Sequence, residues 1–383
     1  MGPLHGLKII ELASIGPGPF CGMMLADLGA EVIRVERPGS NPQVSVDPLA
    51  RNRKSLACDL KNPDSVAMVL RLVEHADGMF EGFRPGVAER LGVGPDDCLA
   101  RNSKLVYGRM TGWGQDGPLA RAAGHDINYI SLTGALHAIG PLHGKPVPPL
   151  NLVGDFGGGG MLLAYGMVCG LLSAARTGEG QVVDAAIVDG ANTLMAMMHG
   201  LKAIGLHDDV TGSSCLGGAA HFYDTYETRD GKYISIASIE PQFYDLLIDK
   251  AGLDRERFAP HVFDRTVDDE TRAHWSDLKA EIAQVIQTKT RDEWCEIMQG
   301  SDVCFAPVLT STEAPDHEHN KARNAFVDVG GHIQPAPAPR FSRTRAAEPR
   351  PGVAPGVDSH AVLQDAGFSE QDIRELVRTG AVF

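Results

Sequence analysis

The chain has 383 residues, of which 43% are hydrophobic and 22% charged, and these values are typical of a globular protein of about two or three domains. Its net charge of −14 at pH 7 argues against a general nucleic-acid-binding protein, because neutralising phosphates requires a basic surface. The seven cysteines are scattered, odd in number and never paired as C-x-x-C, which indicates reduced thiols in a cytosolic protein and argues against a disulfide framework or a zinc site.

The first residues, MGPLHGLKIIEL, lack the basic stretch and apolar core of a signal peptide, so we expect a cytoplasmic protein without membrane association. The longest apolar run, residues 161–175, has 15 residues, whereas a membrane-spanning helix needs about 20. A buried helix is therefore predicted for this run.

The N-terminal part of the chain alternates short strands with helices. A β-prone run at 7–12, a break rich in glycine and proline, a run with helical spacing at 21–30 and a second strand at 31–36 form a βαβ unit. The alternation continues to a strand within 104–114, which predicts a doubly wound α/β domain on a parallel sheet. The GPGP turn of the break does not match G-x-G-x-x-G, so no dinucleotide-binding site is predicted.

The remainder of the chain predicts a smaller α+β domain followed by a return crossing. Residues 180–205 predict a strand and a long helix, and Asp230-Gly231 is the predicted turn of an antiparallel hairpin that precedes several amphipathic helices. Residues 331–356 are rich in proline and lack periodicity, so we expect them to run along a surface. A capping box opens the last predicted helix, 369–380.

The stretch GHDINY, residues 124–129, places a histidine at the start of a predicted helix. An isolated histidine is more often structural, but His125 directly precedes a helix whose first N–H groups carry partial positive charge. Such a helix start stabilises an oxyanion, and a base beside it suits removal of a proton next to a carbonyl group. We therefore predict His125 as a base, prefer Asp126 as an N-cap, and place Gly124, Asp126 and Tyr129 in the substrate and oxyanion site.

Two further carboxylates each have a structural and a functional interpretation. Asp155, in GDFGGGG, either caps the following helix or is a reactive group that a ligand approaches closely because five glycines surround it. Glu240, in ASIEPQF, follows a strand and precedes Pro241, and on its own it fits the N-terminal region of a helix best.

Basic residues gather near the ends of the first predicted strands. Between residues 34 and 61 six basic residues stand against three acidic ones, a local charge of +3 in a chain of −14. A solvated charged face is the ordinary interpretation, and a clamp for a polyphosphate ligand at the strand ends is the functional one. The basic residues are Arg34, Arg37, Arg51, Arg53, Lys54 and Lys61, with Arg84 and Arg90 near a later strand end.

A series of motifs runs in order along nearly the whole chain: GLKIIELASIGPGPFCGMMLADLGAEVIRVERPGS, RNRKSLACDLKNP, GFRPGVAERLGVGP, RMTGWGQDGP, AGHDINYISLTGALHAIG, PLNLVGDFGGGGM, GQVVDAAIVDG and IEPQFY. Together these motifs closely resemble those of α-methylacyl-CoA racemases, within the family III CoA-transferase superfamily. The resemblance implies a Rossmann-like, parallel-sheet large domain and a smaller α+β domain, with two chains interlocked in a homodimer.

The resemblance also implies a role for individual residues. His125 matches the racemase base of the GHD motif, and Asp155 matches the catalytic aspartate of the GDFxGG motif. Glu240, in the EPQF motif, is expected to reach His125 from the partner chain and to orient or tune it. The positions that correspond to the family's contacts with the phosphates and adenine of coenzyme A are Arg37, Arg51, Lys61, Arg84 and Arg90.

With the resemblance, the domain organisation becomes a large CoA-binding domain (1–186), a linker helix and crossing (187–218), a small domain (219–310) and a return linker with a C-terminal segment that packs on the large domain (311–383). One loop departs from the family's pattern: SCLGGAAHFY, residues 214–223, stands where racemases carry a sequence like NMLDGGAPFY. We expect this loop near the domain junction, where its changes bear on acyl preference or turnover.

The reaction implied by the resemblance is the interconversion of (2R)- and (2S)-2-methylacyl-CoA thioesters in lipid metabolism, through an enolate. It requires no metal and no redox cofactor, since coenzyme A is part of the substrate. Two alternatives stay open. A family III CoA-transferase would use Asp155 as a covalent acyl carrier, and a non-catalytic acyl-CoA-binding protein would have the altered loop as its main support.

Overall fold

The computed structural model describes residues 2–40, 43–259 and 268–383, and the chain forms two compact units. Unit 1 comprises Met1–Leu132, Leu150–Leu194 and His319–Phe383. Unit 2 comprises Thr133–Pro149 and Met195–Glu318.

Unit 1 is built on a six-stranded parallel sheet. The strands are β1 (Lys8–Leu12), β2 (Glu31–Glu36), β3 (Lys54–Ala57), β4 (Gly78–Glu81), β5 (Val106–Thr111) and β6 (Gln181–Ala186). Their order, β3-β2-β1-β4-β5-β6, is that of a doubly wound fold, which confirms the predicted Rossmann-like sheet. The strand order reverses between β1 and β4, so the carboxyl ends of these two strands border the crevice in which such folds bind ligands.

Helices cover both faces of this sheet. Those of unit 1 are α1 (Pro17–Asp27), α2 (Pro63–Val73), α3 (Val87–Arg90), α4 (Pro95–Arg101), α5 (Asp126–Ser131), α7 (Met161–Thr177), α8 (Ile187–Leu194), α15 (Ser359–Asp365) and α16 (Glu370–Arg378). Ile9 and Ile10 of β1 point to opposite faces and are both fully buried. Ile10 belongs to a core that includes α2 and α15, whereas Ile9 belongs to a core that includes α1 and α7.

The apolar run at 161–175 lies in α7, which continues from a π-helix, Leu152–Gly160. Leu163 and Met167 are buried in the core, whereas Tyr165 and Leu172 are exposed, so the predicted burial holds for one face of the helix only. Among the described residues, Leu152–Thr177 is the one helical segment long and apolar enough to cross a membrane. This is weak evidence, because a core helix of a soluble protein passes the same test and 39% of the segment's most apolar window is buried.

Unit 2 contains a three-stranded antiparallel sheet in the order β7-β8-β9, formed by β7 (Tyr223–Glu227), β8 (Tyr233–Ala237) and β9 (Phe305–Val308). The β7–β8 hairpin turns at Asp230-Gly231 as predicted, with Gly231 at a φ of 71°. The helices are α6 (Ala135–Ala138), α9 (Ala196–Ala203), α10 (Pro241–Ala251), α11 (Arg255–Phe258), α12 (Asp269–Ile286) and α13 (Arg291–Met298). Trp275 and Trp294 are the largest side chains of its core.

The chain returns through α14 (Glu318–Ala322) to an antiparallel pair in unit 1, β10 (Phe326–Val329) and β11 (His332–Pro335). Residues 336–358 form neither helix nor strand, in line with their proline-rich sequence. The predicted capping box of α16 is present: Ser369 Oγ accepts from Asp372 N at 3.1 Å, and Asp372 Oδ2 accepts from Ser369 N at 3.0 Å.

The two units do not divide the chain where the sequence placed its domain boundaries. α8, which the sequence assigned to a linker beginning at residue 187, lies in unit 1 because Gly190 packs directly on Gly158 of the π-helix. Residues 133–149, predicted to lie within the large domain, belong to unit 2, where His143 N donates to Thr211 O at 3.1 Å. The long helix predicted within 180–205 is two helices, α8 and α9, separated at Met195.

Candidate active site

His125 occupies the N-cap position of α5, with extended backbone angles, φ −133° and ψ 175°. Its own N–H donates to Asn128 Oδ1 at 3.0 Å, and its carbonyl accepts from Asn128 N at 2.8 Å. These two bonds fix the histidine backbone at the helix start, while its side chain remains exposed. The preferred N-cap role of Asp126 is therefore wrong, since that residue is the first residue of the helix proper.

Asp155 lies in the π-helix, where glycines allow two backbones to meet. A Cβ on Gly158 would lie 2.7 Å from Ala191 N, and one on Gly160 would lie 2.5 Å from Pro17 O. The glycines around Asp155 thus permit close packing against α8 and α1. The sequence suggested only that these glycines let a ligand approach, and it did not predict the packing. Asp155 itself is half-buried within this rigid frame.

Asp126 connects the two predicted catalytic residues. Its Oδ2 accepts a hydrogen bond from Asp155 N at 2.7 Å, although 29 residues separate the two in sequence. The side chain is buried, and within the described residues its Oδ1 has no hydrogen-bond partner. A Cβ on Gly154 would lie 2.4 Å from Asp126 Oδ2, so only glycine leaves room for this contact.

The pKa of Asp155 is raised from 3.8 to about 6. Burial is the largest cause, the negative charge of Asp126 adds to it, and His125 acts in the opposite direction. A carboxyl group with this pKa exchanges protons readily near neutral pH, which suits a group that must both accept and return a proton.

His125 and Asp155 line a single cavity of about 330 Å³ at the carboxyl ends of β1, β4 and β5. Arg84 and Gly124 also line it, and Gly16, at a φ of 74°, would place a Cβ only 3.3 Å from Asp155 Oδ2. The turn of the GPGP motif therefore forms the cavity wall beside the aspartate. The cavity therefore contains both side chains that the sequence predicts for proton transfer, His125 and Asp155.

Tyr129 forms another wall of this cavity. Its hydroxyl donates to Gly124 O, and its ring packs edge-on against Trp113 with the centroids 4.8 Å apart. A Cβ on Gly112 would lie 2.1 Å from the tyrosine ring. Burial, with Asp155 as the next cause, raises the pKa of the Tyr129 hydroxyl. The Tyr129 side chain thus holds the segment that carries His125, and its hydroxyl proton is already used in the hydrogen bond to Gly124 O.

A second cavity, of about 830 Å³, opens at the ends of β1, β2 and β3. It shares Ser14, Ile15, Gly16 and Phe83 with the first cavity, so the two are adjacent. Three of the predicted basic residues line it and are exposed, with no ion-pair partner among the described residues: Arg37, Lys61 and Arg90.

Two further arginines of the predicted basic cluster line the second cavity, although the family resemblance did not select them as contacts of coenzyme A. Arg34 pairs with Glu36 at 3.2 Å, and Arg53 pairs with Glu11 inside the unit. Their position near the ends of the first strands is the one that the sequence predicted for the basic cluster, and both are engaged in ion pairs.

Arg51 lies outside both cavities. Its guanidinium is buried and binds Asp27 through two hydrogen bonds, of 3.0 Å and 2.5 Å, and donates to Pro335 O at 2.7 Å. All of these partners belong to unit 1, so Arg51 ties α1 to the returning chain. We do not retain it among the proposed ligands of coenzyme A.

Glu240 lies in unit 2 at the N-cap of α10, where the sequence suggested a helix N-terminal acid. Its carbonyl accepts from Phe243 N and Tyr244 N, both at 3.0 Å, and its exposed side chain makes no capping bond. The approach of this carboxylate to His125 of a partner chain stays a prediction.

The unusual loop at 214–223 builds the core of unit 2. Ser214 Oγ accepts from Leu216 N at 3.2 Å, and Phe222 is buried. His221, where racemases carry proline, is fully buried, and its Nε2 lies 2.7 Å from the hydroxyl of Tyr244.

Among the described residues, no group of three or more histidine, cysteine, aspartate or glutamate side chains is placed to hold a metal ion.

Comparison with known proteins agrees with this fold. The model of CoA-transferase family III matches residues 4–361. Curated relatives include "Alpha-methylacyl-CoA racemase" of Mus musculus, 43% identical over 97% of this chain and 96% of the relative, and that of Homo sapiens, 41% identical over the same shares. The crystal structure of a CAIB/BAIF family protein from Brucella suis superposes with a TM-score of 0.79 and 26% identity, over 95% of this chain and 99% of that one. The chain belongs to CoA-transferase family III.

Proposed function

We propose that the protein is an enzyme that interconverts (2R)- and (2S)-2-methylacyl-CoA thioesters by moving the α-proton. The observation that carries this proposal is the shared cavity of His125 and Asp155, which offers two acid–base groups to one carbon atom. The identity of 41–43% with racemases over nearly the whole chain supports the same activity.

In the proposed mechanism His125 serves one face of the α-carbon and Asp155 serves the other. One group removes the proton while the second, already protonated, donates a proton from the opposite face, and the roles reverse with the hand of the substrate. The first N–H groups of α5, beginning at Asp126, stabilise the thioester oxygen as it becomes an enolate. The step balances because each turnover removes one proton and adds one to the same carbon.

Coenzyme A extends from this cavity into the second one in our proposal. The exposed cations Arg37, Lys61 and Arg90 supply charge for the phosphates, and their lack of ion-pair partners among the described residues leaves them available. Arg84, which lines the first cavity, lies on the side of the thioester. The proposed chemistry uses only these side chains, so we expect neither a metal nor a redox cofactor.

We further propose that two chains form an interlocked homodimer in the cytoplasm, with Glu240 of one chain acting on His125 of its partner. Support comes from the exposed apolar face of α7, where Met161 is 51%, Tyr165 67% and Leu172 53% exposed. A contiguous apolar surface of this kind is typical of an interface between protein chains. The bound partners expected are thus an acyl-CoA and a second copy of the chain.

The experiment that tests the proposed activity is hydrogen exchange at the α-carbon in deuterated water. Both (2R)- and (2S)-2-methylacyl-CoA should gain deuterium, and either should become a nearly equal mixture of the two epimers. His125→Ala and Asp155→Ala should each abolish racemisation, and the group that remains should support at most slow exchange of one hand. Undiminished racemisation in either variant would remove that residue from the mechanism.

The second candidate activity is CoA transfer, which the family's name and the accessible carboxylate of Asp155 favour. In that reaction Asp155 attacks the thioester, forms a mixed anhydride and releases the thiolate of coenzyme A. Hydroxylamine added with acyl-CoA should then cleave the anhydride, which traps either the acyl group or Asp155 itself as a hydroxamate. Racemisation without trapping supports the first activity, whereas tight acyl-CoA binding with neither reaction would indicate a binding protein.

A further inference from the structure

The segment between β4 and the end of α3, residues 82–90, carries two arginines that reach different cavities. Arg84 lines the cavity that contains His125 and Asp155, and Arg90 lines the larger cavity. Both side chains are exposed, and neither forms an ion pair among the described residues. The position of this one segment therefore determines where two of the proposed cationic contacts lie.

Glu81 and Arg109, immediately below the segment, hold it at both ends. Glu81 Oε2 accepts from Phe83 N at 2.6 Å, and Glu81 Oε1 accepts from Arg109 Nε at 3.2 Å. The same guanidinium reaches Glu89 of α3, with Nη2 2.9 Å from Oε1. Arg109 thus joins the beginning of the segment to its last turn.

The network has a rigid base. Glu81 is 1% exposed and Arg109 is 9% exposed, and the two are direct register partners on the adjacent strands β4 and β5. At the start of the segment, a Cβ on Gly82 would lie 2.7 Å from Cβ of Ser14, a residue that lines both cavities. Only the Glu89 end of the network is substantially exposed, with 45% of its side chain accessible.

The charge of Glu81 is sensitive to pH near neutrality. Burial raises its pKa from 4.5 to about 7, the N–H of Phe83 and the charge of Arg109 oppose that rise, and Glu89 adds to it. The other titratable groups near the network are Tyr107, whose hydroxyl donates to Val93 O, and Asp184, which pairs in register with Arg109 from β6 and whose pKa is raised mainly by burial. Above neutral pH the ion pair is intact, and below it Glu81 becomes neutral.

We propose that Glu81 and Arg109 are positioning residues for the substrate, because they hold the segment 82–90 so that Arg84 and Arg90 meet coenzyme A. This inference rests on the proposed function and adds to it a device that sets substrate affinity without contact with the reacting atoms. When Glu81 takes up a proton, its ion pair with Arg109 is lost, the segment is held less firmly and the affinity for coenzyme A falls.

The first test compares two exposed glutamates of unit 1 that are matched in chemistry. Glu89 pairs with Arg109 at 2.9 Å, and Glu74 pairs with Arg101 at 3.3 Å, away from both cavities. Calorimetry with free coenzyme A should show that Glu89→Gln weakens binding by about threefold, the size expected for an exposed pair. Glu74→Gln should bind like the wild type, and equal weakening in both variants would overturn the inference.

The second test uses Glu81→Gln, which keeps an acceptor for Phe83 N–H and removes the charge. At pH 8.5 we expect the Kd for coenzyme A to rise by about tenfold, with KM raised in parallel and kcat unchanged. Below about pH 6 the ratio of the two Kd values should approach one, because wild-type Glu81 is then also neutral. Arg109→Lys should restore part of the affinity lost in Arg109→Met.

The possible results separate this inference from the proposed function. If the folded Glu81→Gln protein binds coenzyme A like the wild type at every pH, the inference fails and the racemase activity is untouched. If the wild type binds coenzyme A and shows the expected pH dependence but does not exchange α-protons, the proposed activity fails and the positioning role stands. Failure of the wild type to bind coenzyme A would overturn both.

Discussion

Within the proposed active site, one buried carboxylate controls its neighbour. Asp126 holds the backbone of Asp155 through the 2.7 Å bond from its N–H, and burial together with the Asp126 charge raises the pKa of the Asp155 side chain to about 6. At pH 7 Asp155 is then mostly ionised, with a protonated fraction of about a tenth. Both forms required by a two-base mechanism are present.

Asp126→Asn tests this control, because the amide oxygen can still accept from Asp155 N–H while the charge is lost. We expect the pKa of Asp155 to fall, so the rise of kcat/KM with pH for the direction in which Asp155 is the base should move below pH 6. The pH profile of α-deuterium exchange measures this shift, and direct titration of the Asp155 carboxyl group checks its origin. An unchanged profile would show that the Asp126 charge is irrelevant to Asp155.

Arg51 provides a second test at the residue scale, since the sequence resemblance assigns it to coenzyme A and the structure ties it to Asp27. Arg51→Met leaves a buried carboxylate unpaired, so we expect the free energy of unfolding to fall by about 3–5 kcal/mol. The folded fraction should keep its affinity for coenzyme A. Arg37→Met, at an exposed position in the larger cavity, should do the reverse, and urea unfolding with calorimetry distinguishes the two outcomes.

At the scale of elements, the π-helix determines where Asp155 lies. It is held by backbone contacts that leave no room for a side chain. A Cβ added to Gly190 of α8 would lie 1.8 Å from Gly158 O. The position of Asp155 therefore depends on two helices that touch main chain to main chain. This packing explains the glycine-rich motif more fully than ligand access does.

Gly190→Ala should separate these helices and both destabilise the protein and reduce racemisation, because Asp155 moves with the π-helix. Gly200→Ala is its matched control, since Gly200 lies within α9 and a Cβ there meets no atom within 4 Å. Alanine within a helix is favoured over glycine by about 0.5–1 kcal/mol, so this control should be slightly stabilising. Equal effects of the two substitutions in thermal unfolding would contradict the packing argument.

The strands and hairpin of this chain follow from local pattern, and the site's details do not. β1, β2 and the β7–β8 hairpin have apolar periodicity and turn residues that act over a few positions, so sequence predicts them well. The π-helix has no such periodic signal, because glycines contribute no side chains. The bonds of Asp126 to Asp155 and of Arg51 to Asp27 join residues 29 and 24 positions apart, so only the folded chain reveals them.

At the scale of the whole molecule, our proposal builds each site from two chains. His125 and Asp155 belong to unit 1 and share a cavity, whereas Glu240 belongs to unit 2. The exposed apolar face of α7 supports association of two chains, and the racemase resemblance assigns Glu240 to the partner's histidine. These two arguments are independent, so the assignment of Glu240 needs an experiment that reports which chain it acts upon.

Complementation between two inactive variants provides that experiment. His125→Ala and Glu240→Ala should each lose most activity when expressed alone. In a mixed dimer that forms by co-expression, one site receives His125 from one chain and Glu240 from the other, whereas the second site lacks both. Statistical pairing then restores about a quarter of the wild-type activity per chain. If Glu240 acts on His125 of its own chain, every site in the mixture carries one defect, and co-expression restores nothing.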